Sequence, residues 1–139
     1  MKKLLLVACL LAIPVRAGPR SAIKKLTYRL TFTTLTENPV RPFVVKRAYV
    51  AKFRVVVAKA PPCWPSATFD QQAQSILDEA SDIDNAPSFS RIKRLLDYMR
   101  ANLTDLQVVY LGNEPRWDIH VFGRDRRGNL VGFHYIEVV

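Results

Sequence analysis

Two periodicities alternate along this chain, and they predict two helices set among five strands. Leu26, Tyr28, Leu30 and Phe32 alternate with Thr27, Arg29, Thr31 and Thr33, the pattern of a half-buried strand. Glu37-Asn38-Pro39 and Arg41-Pro42 break the pattern and predict a turn. Alternation resumes from Phe43 to Ala58, with Tyr49, Ala51, Phe53, Val55 and Val57 on one face and Lys52 and Arg54 on the other. These two stretches predict an antiparallel hairpin that must pack on something else. Pro61, Pro62 and Pro65 then stop the strand and stiffen a connector.

After the prolines the period changes. Thr68 and Gln71 have the spacing of a capping box. Behind it Phe69, Ala73, Ile76, Leu77, Ala80 and Ile83 form one helical stripe, with Gln72, Gln74, Asp78, Glu79 and Asp82 expected on the opposite, solvated face. Asn85-Ala86-Pro87-Ser88 turns the chain into a second helix whose stripe is Phe89, Ile92, Leu95, Leu96, Met99 and Leu103. Asn102 stands near its end, where left-handed geometry is common. Three strands follow: Leu106–Leu111, Trp117–Phe122 and Leu130–Val139, joined by a turn at Gly112–Pro115 and a hairpin loop at Gly123–Gly128. On the middle strand Trp117, Ile119 and Val121 alternate with Asp118, His120 and Phe122. On the last, Leu130, His134, Ile136 and Val138 alternate with Val131, Phe133 and Tyr135. The reading is an α+β fold: an N-terminal strand pair, two helices and three C-terminal strands.

Charge divides the chain. Net charge is +9 over 139 residues. Residues 1–65 carry Glu37 as their single acid against thirteen Lys and Arg, whereas residues 66–139 are net acidic. A basic first half fits an anionic partner such as nucleic acid. It also fits strand edges that carry cations to prevent edge pairing, because the cations alternate with apolar residues and form no block.

Met1-Lys2-Lys3, the apolar run Leu4–Val15 and Ala17 fit a secretory signal peptide over residues 1–17. That expectation implies an exported or periplasmic protein; a later true start would imply a cytoplasmic one. Residues 18–139 then read as one domain, with a basic strand pair at 18–65 and a helix-strand part at 66–139. No apolar run reaches the length of a membrane span.

Catalytic chemistry finds little support. Cys63 lies among prolines with no base beside it, and Cys9 falls in the leader. No phosphate loop is present, and no nucleophile has a base beside it. His120 and His134 lie on adjacent strands and are placed to be neighbours, but no third metal ligand at suitable spacing is evident. Asp118, on the same strand face as His120, reads as a surface hydrogen-bond partner. No cofactor or metal is expected.

One stretch carries a family likeness: Leu95-Leu96, Asn102-Leu103, Gln107-Val108, Leu111-Gly112, Asp118-Ile119, Val121-Phe122-Gly123 and Gly128-Asn129-Leu130-Val131-Gly132. This pattern, from Phe89 to the C-terminus, resembles the nuclease A inhibitors, which act on a sugar-non-specific nuclease. The resemblance implies an α/β/α-type sandwich with an antiparallel sheet, and a protein that binds a DNA/RNA nuclease and blocks its active-site cleft without doing chemistry. It also implies that the C-terminal tail approaches the magnesium-dependent site of the nuclease. The family tail ends in a hydroxyl residue; here it reads Glu137-Val138-Val139, leaving the terminal carboxylate as the anion. Thr36-Glu37-Asn38-Pro39 and Pro42-Phe43 echo the acidic segment that precedes a strand in the family. The expected partner-binding residues are therefore Glu37, Asp118, His120, Arg124, Asp125, Glu137, Val138 and Val139. Direct binding of nucleic acid through the basic half is the alternative.

Overall fold

The computed structural model of the chain describes residues 18–33, 37–59, 67–82, 86–113 and 115–138. Its frame is a four-stranded antiparallel sheet in the order β3-β6-β5-β4. The strands are β3 (Arg41–Val45), β4 (Thr104–Asn113), β5 (Arg116–Arg124) and β6 (Leu130–Val138). A second ladder pairs β1 (Thr31–Thr33) with β2 (Glu37–Pro39). Four helices complete an α+β fold: α1 at residues 18–26, α2 (Val50–Lys59), α3 (Phe69–Asp82) and α4 (Ala86–Asn102).

The last third forms as its pattern dictates. β4, β5 and β6 are consecutive antiparallel neighbours. The β5–β6 hairpin closes on Asp125, whose Oδ1 accepts bonds from the backbone N–H of Arg127 and Asn129, both at 2.9 Å. Gly128 takes a φ of 85° there, which a side chain resists. Beside that hairpin, next to Arg124, β4 carries a bulge between Thr104 and Gln107, with Asp105 at a φ of 55°. The capping box is present in both directions: Gln71 N–H donates to Thr68 Oγ1 at 3.2 Å, and Thr68 N–H to Gln71 Oε1 at 3.0 Å. Asn102 ends α4 by donating its Nδ2 to the Tyr98 carbonyl at 2.8 Å rather than by turning left-handed.

One face of the sheet makes the main core. Ile119, Val121, Val131, Phe133 and Tyr135 pack against Phe69, Ala73 and Ile76 of α3, Ile92, Leu95, Leu96 and Met99 of α4, and Ile23, Leu30 and Phe32 from the N-terminal segment. Gln72 is the departure on α3. Expected in solvent, it is buried, accepting a bond from the Tyr110 hydroxyl and donating to the Tyr135 hydroxyl, each at 2.6 Å. Four residues before Ile76, it lies on the inner face, where two tyrosines supply the partners that burial demands.

The N-terminal half corrects the expected strand pair. The first strand is strand only over Thr31–Thr33; the residues before it form α1 and its terminal turn. Ile23, Thr27 and Leu30 are all buried, a helical spacing that overlaps the period-two reading of Leu26 to Phe32. Thr27 Oγ1 bonds the Ile23 carbonyl at 2.8 Å, and Arg29 reverses the chain at a φ of 53°. The second expected strand stops at Val45. A 3-10 turn, Arg47–Tyr49, then leads into α2. In α2 the half-buried positions are Val50, Phe53 and Val57, spaced three and four apart, whereas Val55 and Val56 are more than half exposed. The Val55-Val56-Val57 run favours a strand locally, but the sheet needed a cover on its second face and tertiary packing prevailed. Phe53 lies against Phe43 and Phe122, with ring centroids 5.5 and 5.8 Å apart.

Gly132 makes that cover possible. It sits in register between Phe43 and Phe122, whose rings meet across it at 5.6 Å. A Cβ at Gly132 would lie 1.9 Å from the Val121 carbonyl oxygen and 2.6 Å from Phe122 Cα. Helices therefore lie on both faces of the sheet. The proline connector, the leader over residues 1–17 and Val139 lie outside the described residues.

Candidate functional site

On the α2 side, β5 and β6 run in strict register through their middles: His120 is the direct partner of His134, and Asp118 of Ile136. Period two puts Asp118 and His120 on one face, and the register adds His134 to them. The imidazoles are parallel, 5.0 Å between centroids and 9° apart in plane. His134 Nδ1 is 3.0 Å from Asp118 Oδ1, and His120 Nε2 is 3.9 Å from Asp118 Oδ2. The other nitrogen of His120, Nδ1, faces the Asp118 carbonyl at 3.3 Å. One donor atom from each residue falls within 4.8 Å of the others. The third ligand that spacing alone did not offer is thus Asp118. The signal lay in the hairpin, because the Gly123–Gly128 loop fixes which residues face each other.

This face is not the solvated one its polar residues suggested. His120 is only 6 % exposed, with the edge of Phe43 at 4.8 Å between ring centroids. Burial pushes the His120 imidazole below its ordinary pKa of 6.5, with Asp118 opposing and His134 adding to the shift. The His134 and Asp118 side chains keep about a third of their surface in solvent, 29 % and 34 %.

The other expected partner residues are dispersed. Arg124 lies at the far end of β5, its Nη2 4.0 Å from Asp105 Oδ2. Asp125 holds the hairpin together through Arg127 and Asn129, and Asn129 in turn accepts a bond from the Arg47 N–H at 2.8 Å. Glu137 and Val138 sit at the opposite end of the sheet, on opposite faces of β6. Burial raises the pKa of both Glu137 and Glu79 of α3, and the charge of Glu137 raises that of Glu79 further. Glu37 belongs to β2, paired with Thr33.

The geometry is that of a stiff scaffold, with the Asp118, His120 and His134 cluster half sheltered between sheet and α2. A family of nuclease A inhibitor-like proteins matches residues 20–138. The chain belongs to the nuclease A inhibitor-like family. No curated protein matches it. The match takes in the basic half, with most of α1, the β1–β2 ladder, β3 and α2, as well as the last third.

Proposed function

We propose that this inhibitor-like protein binds a sugar-non-specific DNA/RNA nuclease and obstructs its active-site cleft, acting by occupancy and not by chemistry. The observation that carries the reading is the family match across residues 20–138. The fold is suited to the role. β5 and β6 are paired from Arg116–Val138 to Arg124–Leu130, a rigid unit that would lose little conformational freedom on docking. At one end of that unit stand Glu137 and Val138; at the other, Arg124 and Asp125. We assign the nuclease contact to the Glu137–Val138 end, where a carboxylate can stand in for a substrate phosphate. We read residues 18–139 as one binding domain and 1–17 as an export signal.

Titration of a purified sugar-non-specific nuclease with the full chain tests this. DNA digestion is expected to fall to background near one equivalent. Removal of Val138 and Val139 is expected to weaken inhibition at least about tenfold, or about 1.4 kcal/mol. Undiminished digestion in excess protein would overturn the reading. Equal inhibition by the shortened chain would retain the function but move the contact elsewhere.

A further inference from the structure

We propose that Asp118, His120 and His134 form a binding site for one divalent transition-metal ion of the zinc class, with a fourth coordination position open to solvent or to a partner's side chain. The site owes nothing to the inhibitor role and stands on its own geometry. Two imidazoles and one carboxylate are the donor set that Zn²⁺, Co²⁺ and Ni²⁺ prefer, whereas Mg²⁺ and Ca²⁺ require mostly oxygen. The three donors come from the middle of two paired strands, so their backbone positions are set by the ladder and not by a loop.

The distances are close to what an ion needs. Tetrahedral bonds of about 2.0 Å place neighbouring donors about 3.3 Å apart. Here the carboxylate oxygens are 3.0 Å from His134 Nδ1 and 3.9 Å from His120 Nε2. All three donors lie within 4.8 Å, so modest rotations of the imidazoles close the set. His120 is already oriented: with its Nδ1–H directed at the Asp118 carbonyl 3.3 Å away, the lone pair of Nε2 faces the cluster. A backbone carbonyl in that outer position is how metal-bound histidines are commonly held. Phe43 stands against both rings, at 4.8 and 6.3 Å, and shelters one side. The partly exposed His134 and Asp118 leave an entry on the other. Arg41, paired with His134 on β3, is the nearest cation in the ladder; its exposed side chain can turn away into water.

The metal-free full chain is titrated with Co²⁺ and, by calorimetry, with Zn²⁺. One ion per chain is expected, with visible d–d bands of tetrahedral cobalt and no competition from excess Mg²⁺. Asp118→Asn and His134→Ala, at the two partly exposed positions, are each expected to weaken binding at least about tenfold. In the unaltered protein, Zn²⁺ is expected to shift the imidazole nitrogen resonances of both histidines in proportion to the metal added, a readout that needs no variant to fold. Absence of stoichiometric binding, unmoved histidine resonances or unchanged affinity in both variants would overturn the proposal. So would a sulfur-to-cobalt charge-transfer band, which would place the ion on Cys9 or Cys63.

Discussion

Glu137 is the residue whose surroundings most directly meet the proposed role. It sits half-buried beside Glu79, and both carboxyls are held above their ordinary 4.5, first by burial and for Glu79 also by the charge of Glu137. A carboxyl whose folded pKa exceeds its unfolded value binds its proton more tightly when folded. Its contribution to stability is therefore largest below about pH 4.5 and is lost as pH rises through the folded pKa. Glu137→Gln should raise stability at pH 7, by less than about 1 kcal/mol because both side chains still reach water. The gain should vanish near pH 4. Urea midpoints at the two pH values check this, and a loss at pH 7 would contradict it. A basic group of a bound partner would relieve the same penalty, so binding and stability pull on this residue in opposite directions.

Among the elements, α2 decides how the second face of the sheet is covered. As a strand, Phe53 and Val55 would share a face and be equally intolerant of change. As a helix, Phe53 points at Phe43 and Phe122 while Val55 is more than half exposed. Phe53→Ala is expected to cost about 2–3 kcal/mol. Val55→Lys is expected to stay within about 0.5 kcal/mol. Chemical denaturation of the two variants separates the readings. The same element shows where the sequence could be read and where it could not. α3 and α4 were legible because each has one buried stripe, and the three C-terminal strands because their alternation agrees with their punctuation, as the Thr68–Gln71 box and the Gly123–Gly128 loop show. α1 and α2 were not, because the threonines that follow α1 and the valines of α2 favour strands and their stripes are only a few residues wide. Having missed α2, the sequence reading placed His120 in solvent. Asp118 and His134 came together only once the β5–β6 register was known.

At the scale of the molecule, the α2 layer on one side of the sheet is uniformly basic. α2 and the turn before it present Lys46, Arg47, Lys52, Arg54 and Lys59, all exposed, with no acid among residues 46–59. Across the sheet the charges are mixed: α3 carries Asp70, Asp78 and Glu79 and no Lys or Arg, whereas α4 beside it carries Arg91, Lys93, Arg94 and Arg100 against Asp97. The basic layer is the surface that direct nucleic-acid binding would use. Lys52→Glu together with Lys59→Glu should lower the salt needed to elute the protein from a polyanion column. If the layer contacts DNA, the slope of log affinity against log salt should fall by about 2. Full nuclease inhibition by this double variant would separate the two functions; elution at unchanged salt would remove α2 from the polyanion contact. The sheet's long outer strand, β4, has a further consequence. A straight ten-residue border would offer a second copy a template for fibril-like growth. The bulge at Thr104–Gln107, with Asp105 turned left-handed, bends the start of that border out of line and so blunts it against such growth.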